Sequence, residues 1–193
     1  MNSKTIFMVL IACVFMFAGC GLSRDKAAKA IEEKVITNYA VQRAIAETVM
    51  INEVAGNKFK ITLDVEWAGS SWGTNPMVIL LKKAESSGYM KMISQEQVFP
   101  GGFGKRYVYW YEITGKGAPF IRLGGNSAQF LLGKVDRVEV NGITDISDNI
   151  KRVEYTVNFQ SNDFARDIGK VIQPIKNATS FRKYDDGWRL QEL

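Results

Sequence analysis

The sequence predicts an α+β fold: N-terminal helices and a helix–hairpin unit, followed by a C-terminal antiparallel β-meander with one helix. Three observations predict it. Across residues 57–67, Phe59, Ile61, Leu63, Val65 and Trp67 alternate with polar, mostly charged side chains, the signature of a half-buried antiparallel strand. Residues 153–159 repeat that alternation near the other end of the chain. Between and before them, apolar residues recur at helical spacing behind capping residues. The 193 residues are 46% hydrophobic and 23% charged, which is globular composition and excludes a largely disordered chain or a multi-span membrane protein. There is no histidine, so imidazole bases, histidine triads and histidine metal ligands are excluded.

The first element is an address. Lys4 precedes an uncharged run from Thr5 to Phe17, long enough for a signal-peptide core and short for a spanning helix. Phe17-Ala18-Gly19-Cys20 follows. This segment resembles the lipobox of bacterial lipoproteins, with Phe17 where leucine is usual. The resemblance implies cleavage between Gly19 and Cys20, a palmitate-type lipid on the Cys20 thiol, and a cell-envelope location. Gly21 in place of an aspartate favours an outer membrane facing the periplasm if the host is Gram-negative. Removing the first 19 residues would leave 174 of the 193 and take the net charge from +5 to +4. Cys13 would leave with the signal peptide, so the mature chain would have no free thiol and no disulfide. Several buried acyl chains, at about 0.8 kcal/mol per methylene, make a durable anchor.

Ser23 opens a helix as N-cap, Asp25 suits its positive end, and Ala27, Ile31 and Val35 form one narrow apolar stripe. Residues 38–52 are ambiguous; a second helix over about 40–51 fits the clustering of Ala44, Ile45, Thr48 and Val49. The strand at 57–67 runs into a Gly/Ser-rich loop from Ala68 to Thr74. Asn75-Pro76 then reads as a cap and first helical position. Met77, Leu80, Leu81 and Ala84 form a face, and Gly88 stands where the helix stops. The run Val78–Leu81 also fits a buried strand, but cap, stop and length favour the helix.

Tyr89–Ile93 and Lys105–Thr114 read as two strands around a Pro100–Gly104 tip. Tyr107, Tyr109 and Tyr111 share one face and Val108 and Trp110 the other, which predicts cover on both sides. A helix closed by Gly88, a hairpin, and then Ile113-Thr114-Gly115-Lys116-Gly117 is similar to a winged-helix motif over residues 75–117. Breaks near 118–133 divide the mature chain into units 20–117 and 118–193. In the second, Val135, Val138 and Val140 mark a strand ending at Asn141-Gly142, with a turn over Asp145–Asn149. Ser161 or Asn162 caps a helix carrying Phe164, Ile168, Val171 and Ile172. Asp185-Asp186-Gly187 turns the closing hairpin. That hairpin resembles the end of many bacterial envelope lipoproteins, a likeness of architecture.

Catalytic patterns dissolve on inspection. The Gly101–Arg106 segment is not a phosphate loop, because Phe99 stands where the first glycine belongs and no helix follows. Ser23–Lys26 and Ser180–Lys183 fit Ser-x-x-Lys without the partner motifs of penicillin-recognising enzymes. Glu32-Glu33 and Asp185-Asp186 sit on a helix and a turn, not across a cleft. Asp145, Asp148 and Asn149 lack calcium-loop spacing. No cofactor or metal is implied. Lys82, Lys83, Lys105 and Arg106 could face nucleic acid, but an exported chain of mild charge argues against that partner. Trp72, in a Gly/Ser loop where a core role explains it least, is the candidate partner contact.

These readings predict a non-enzymatic envelope binding or assembly module, held to the membrane by lipid and contacting an envelope protein or peptidoglycan. Two alternatives are a small-ligand carrier with a cavity near Tyr155, Phe159 and Phe164, and a hydrolase working through carboxylates without histidine.

Overall fold

The computed structural model describes residues 21–64, 75–98 and 106–191. It is α+β, with antiparallel sheets throughout and a C-terminal meander. The described chain forms two compact units. Unit 1 combines residues up to Asn38 with Asp136–Asn158 and Pro174 onward; unit 2 combines Tyr39–Val135 with Phe159–Gln173. Position 118, where the sequence predicts a division, lies inside unit 2.

Unit 1 holds helix α1 (Arg24–Val35) and most of the sheet formed by β8 (Gly133–Ser147), β9 (Ile150–Ser161), β10 (Ile175–Tyr184) and β11 (Gly187–Leu190), ordered β11-β10-β9-β8. The Ser23 hydroxyl accepts from Lys26 N at 3.3 Å, as a cap should. Ala27, Ile31 and Val35 are fully buried. Glu32, on the same helix, accepts from Val138 N on β8 at 3.1 Å. The alternation in β9 does what it predicts: Val153, Tyr155 and Val157 are buried while Glu154 is exposed. Asp185-Asp186 turns β10 into β11, pairing Tyr184 with Gly187.

One strand boundary is corrected. β8 does not end at Asn141-Gly142 but continues to Ser147, and the turn narrows to Asp148-Asn149. Asn141 donates from its side chain to Thr156 Oγ1 at 2.9 Å, so its polar group is used across the ladder instead of in a turn.

Unit 2 contains α2 (Tyr39–Ile45), β1 (Ala46–Met50), β2 (Glu53–Ala55), β3 (Lys58–Asp64), α3 (Pro76–Ser86), β4 (Met90–Val98), β5 (Arg106–Ile113), β6 (Ile121–Gly124), β7 (Ser127–Leu131) and α4 (Asp163–Asp167). Its strands form a four-stranded sheet, β2-β3-β5-β4, and a three-stranded sheet, β1-β7-β6. Phe59, Ile61, Leu80, Leu81, Phe130 and Phe164 lie in one core cluster. The α3 cap is as predicted: Asn75 Oδ1 accepts from Met77 N at 2.9 Å, Pro76 opens the helix, and Gly88 follows it at φ +77°.

The helix expected over 40–51 stops at Ile45, and residues 46–50 are strand β1. Thr48 and Val49 are β-branched, and pairing with β7 (Ala46 opposite Leu131 through Met50 opposite Ser127) buries Val49 and Ile51. The helix after Asn162 is also shorter than expected. Asn162 is its cap, accepting from Ala165 N at 2.9 Å, but the helix ends at Asp167 and Gly169 turns the chain at φ +69°. Val171 therefore lies outside it, 76% exposed. The predicted break at 118–133 contains two short strands, β6 and β7, joined through Gly125-Asn126.

The hairpin β4–β5 follows α3 in the predicted order, with a bulge between Met92 and Ser94. Along β5 only the tyrosine face is buried at 109 and 111; Val108 and Trp110 are half-buried, and Lys60 stands over the Trp110 ring at 5.4 Å. Cover on both faces was expected from the aromatics, and a lysine takes that place on the second face.

Candidate functional site

Unit 2 carries a concave surface of about 1130 Å³. Four parts of the chain build it: α2, β1, the start of α3 and the β6–β7 pair. Tyr39, Gln42, Arg43 and Ile45 of α2 form one wall. Pro76, Met77 and Leu80 at the start of α3 line the concavity too, as does the whole of β1. Arg122, Gln129 and Leu131 of the same three-stranded sheet complete the lining.

The sequence dictates why β1 is there. Ile45 O accepts from Leu132 N at 2.7 Å and Ile51 N donates to Asn126 O at 2.9 Å. In an antiparallel ladder these bonds recur at every second residue. Residues 45, 47, 49 and 51 therefore turn their backbone groups toward β7, while Thr48 and Met50 turn theirs the other way. β1 is the last strand of its sheet, so no described strand pairs with that edge. The apolar lining is unusually open: Met50 is 68% exposed and Tyr39 74%.

The charge of the groove is positive. Arg43 lies over the Tyr39 ring, 5.8 Å from its centre. Arg122 stands on β6 opposite Gln129, which in turn lies opposite Thr48. The lining carboxylate, Glu47, forms an ion pair with Lys170. Among the described residues no acid pairs with either arginine.

A second cluster in unit 2 has perturbed ionisation. Asp167 Oδ2 accepts from Tyr89 Oη at 2.8 Å and from Lys116 Nζ at 2.9 Å. Lys116 also donates to Ser87 O at 2.9 Å and lies 4.1 Å from the centre of the Tyr89 ring. The Lys116 hydrogen bond and then that from Tyr89 hold the Asp167 carboxyl below its usual range. Asp167 in turn raises Lys116, and burial followed by the Asp167 contact raises Tyr89. Each shift moves the group's titration further from neutral pH, so Lys116 and Asp167 stay charged and Tyr89 stays protonated, which favours a fixed contact over proton transfer. Lys83 adds a donor to Ile168 O at 2.7 Å, so this lysine, considered above for nucleic acid, serves the end of α4.

Unit 1 has a smaller concavity of about 360 Å³, lined by Gly21, Leu22, Lys26 and Ala30 and by the closing hairpin from Phe181 to Trp188. Asp186 of the predicted acid pair forms an ion pair with Arg189 there, and Glu32 of the other pair accepts from Val138 N on β8. The cavity expected near Tyr155, Phe159 and Phe164 corresponds to neither surface: Tyr155 is core in unit 1 and Phe164 in unit 2.

Gly19, Cys20 and Trp72 lie outside the described residues. The groove residues Tyr39, Arg43, Met50 and Arg122 were not singled out from the sequence. They come from separate segments, and the helical spacing of Thr48 and Val49 points to a helix where strand β1 stands. No described group of three or more Cys, Asp or Glu side chains is placed to hold a metal ion. No described helix is long and apolar enough to cross a membrane. No family model matches the chain, and no curated protein or solved structure shows significant similarity to it.

Proposed function

We propose that this chain is a lipid-anchored envelope protein that binds another protein through the α2–β1–α3 groove and performs no chemistry itself. The observation that carries the reading is the groove: about 1130 Å³, with Tyr39 and Met50 exposed along an open strand edge. Exposed apolar side chains grouped on one concavity favour a partner. The anchoring half rests on Lys4, the apolar run and Phe17-Ala18-Gly19-Cys20 in that order. A partner protein is preferred to peptidoglycan because β1 offers main-chain donors and acceptors, whereas among the described residues Tyr39 is the one aromatic side chain in the lining for a sugar ring to stack on.

The test is site-specific photo-crosslinking in intact cells. A photoreactive residue at Met50 should trap one envelope protein, identified by mass spectrometry. The same probe at Ile146 in unit 1, which is 59% exposed, should not. Arg43→Glu with Arg122→Glu should abolish the adduct. No adduct at Met50, or equal trapping at Ile146, would overturn the reading.

A further inference from the structure

We infer that the groove receives an extended, acidic peptide segment as an additional strand on β1. The inference deepens the binding reading above and rests on it.

Three observations converge. The first is main-chain polarity. Thr48 and Met50 turn their N–H and C=O groups away from β7, because the ladder bonds fall on the odd-numbered residues of β1. An edge strand with unpaired groups is a template for one more strand, and proteins that keep such an edge accessible use it for peptide capture or suffer aggregation. β1 carries neither proline nor an outward lysine that would blunt it. The second is shape. Residues of α2 and of the start of α3 line the same concavity as β1, with space of about 1130 Å³ beside the strand. The third is charge. Arg43 and Arg122 line the groove, while Glu47 is neutralised by Lys170. Guanidinium groups take carboxylates in paired hydrogen bonds, so an incoming side chain that reaches Arg43 is Asp or Glu, while Arg122, on β6 at the other edge of the sheet, adds positive potential to the same concavity. Met50 and the partly buried Met77 offer apolar contact to the other side chains of the incoming strand.

The probe is a display library of random 12-residue peptides selected against the full chain. Enriched peptides should alternate Asp or Glu with β-branched or aromatic residues and exclude proline from the bound stretch. The best peptide is then synthesised with N-methyl groups on alternate amides. One phase should weaken binding about tenfold or more, because two main-chain hydrogen bonds are lost; the other phase should bind as before. Thr48→Pro removes the outward N–H while leaving the β7 bonds in place, and should abolish binding with circular dichroism and melting temperature retained. Arg43→Glu with Arg122→Glu should reverse the preference toward peptides carrying lysine.

Basic or proline-rich winners, no enrichment, equal loss in both N-methyl phases, or full binding by a folded Thr48→Pro chain would each overturn the inference. So would concentration-dependent dimerisation that Thr48→Pro removes, which would make a second copy the occupant. The two levels separate cleanly. A Met50 crosslink to one envelope protein alongside any of these results leaves the groove as a binding surface and removes the added strand. No crosslink removes both.

Discussion

Tyr89 Oη donates to Asp167 at 2.8 Å across 78 residues of sequence, tying the start of β4 to the last residue of α4. Lys116 completes the contact from the turn after β5. A carboxyl held below its unfolded value, about 3.9 for aspartate, contributes stability that is present above that value. The contribution is lost as pH falls through the lower folded value. Asp167→Asn should therefore lower the melting temperature at neutral pH, and the deficit should close at strongly acidic pH. Tyr89 and Lys116 are both raised, so their contributions are full below about 10 and 10.4 and fade as pH rises beyond. Melting curves from pH 2 to 11 check both limbs. A deficit for Asp167→Asn that stays constant to pH 2 would mean that shape, not charge, accounts for the contact.

Gly117 is held against the same tyrosine. A Cβ there would lie 1.9 Å from Tyr89 O and 3.1 Å from Ile113 Cγ2. Tyr89 O already accepts from Thr114 N at 3.1 Å, so the backbone has no direction in which to yield. Gly117→Ala should cost roughly 3 kcal/mol or more. Gly115→Ala, two residues away with nothing within 4 Å, should stay within about 0.5 kcal/mol. Urea unfolding of the pair measures the contrast, and equal midpoints would contradict it.

Phe164 anchors α4 to the core of unit 2. Its ring meets Tyr89 edge-on at 4.8 Å and stacks with Phe130 at 5.9 Å. It is fully buried. Phe164→Ala should cost about 3–5 kcal/mol by transfer and cavity together. Because α4 is only five residues long, it has little helical stability of its own, and its amides should lose exchange protection before those of β9. Hydrogen exchange resolves the order; simultaneous loss would show that α4 and β9 open as one.

What was legible in the sequence was local. Ser23, Ala27, Ile31 and Val35 define α1 locally, from its cap to its last residue, and Asn75-Pro76 with Gly88 brackets α3. The alternation in β3 and β9 needs no knowledge of a partner strand. What failed was decided at long range. Residues 46–50 became strand because β7, some 80 residues later, offers its edge and Val49 enters the core. β6 and β7 are four and five residues long, too short for their alternation to stand out beside Gly124-Gly125. The groove was invisible for the same reason: Arg43, Met50, Met77 and Arg122 share a surface only through the β1–β7–β6 register and the two helices. Trp72 stands out in the sequence because no local role explains it, a criterion that ranks single residues and cannot assemble a site.

The proposed anchor makes a prediction for unit 1. Cys20 is bonded to Gly21, and Gly21 lines the small pocket with Lys26, Tyr184 and Trp188. Tyr184 is 46% exposed, and Lys151 stands over the Trp188 ring at 5.2 Å. Aromatic rings beside lysines suit the polar boundary of a bilayer, where the ring meets the acyl edge and the ammonium meets headgroups. A chain lipidated at Cys20 should bring this pocket to that boundary. Reconstituted into vesicles containing brominated lipid, the lipidated chain should show tryptophan quenching that falls when Trp188 becomes Phe. Cys20→Ser should lose both the quenching and the metabolic incorporation of labelled palmitate. Retained labelling in Cys20→Ser would remove the anchor assignment itself. Labelling lost with quenching unchanged in Trp188→Phe would keep the anchor and turn this face of unit 1 away from the membrane.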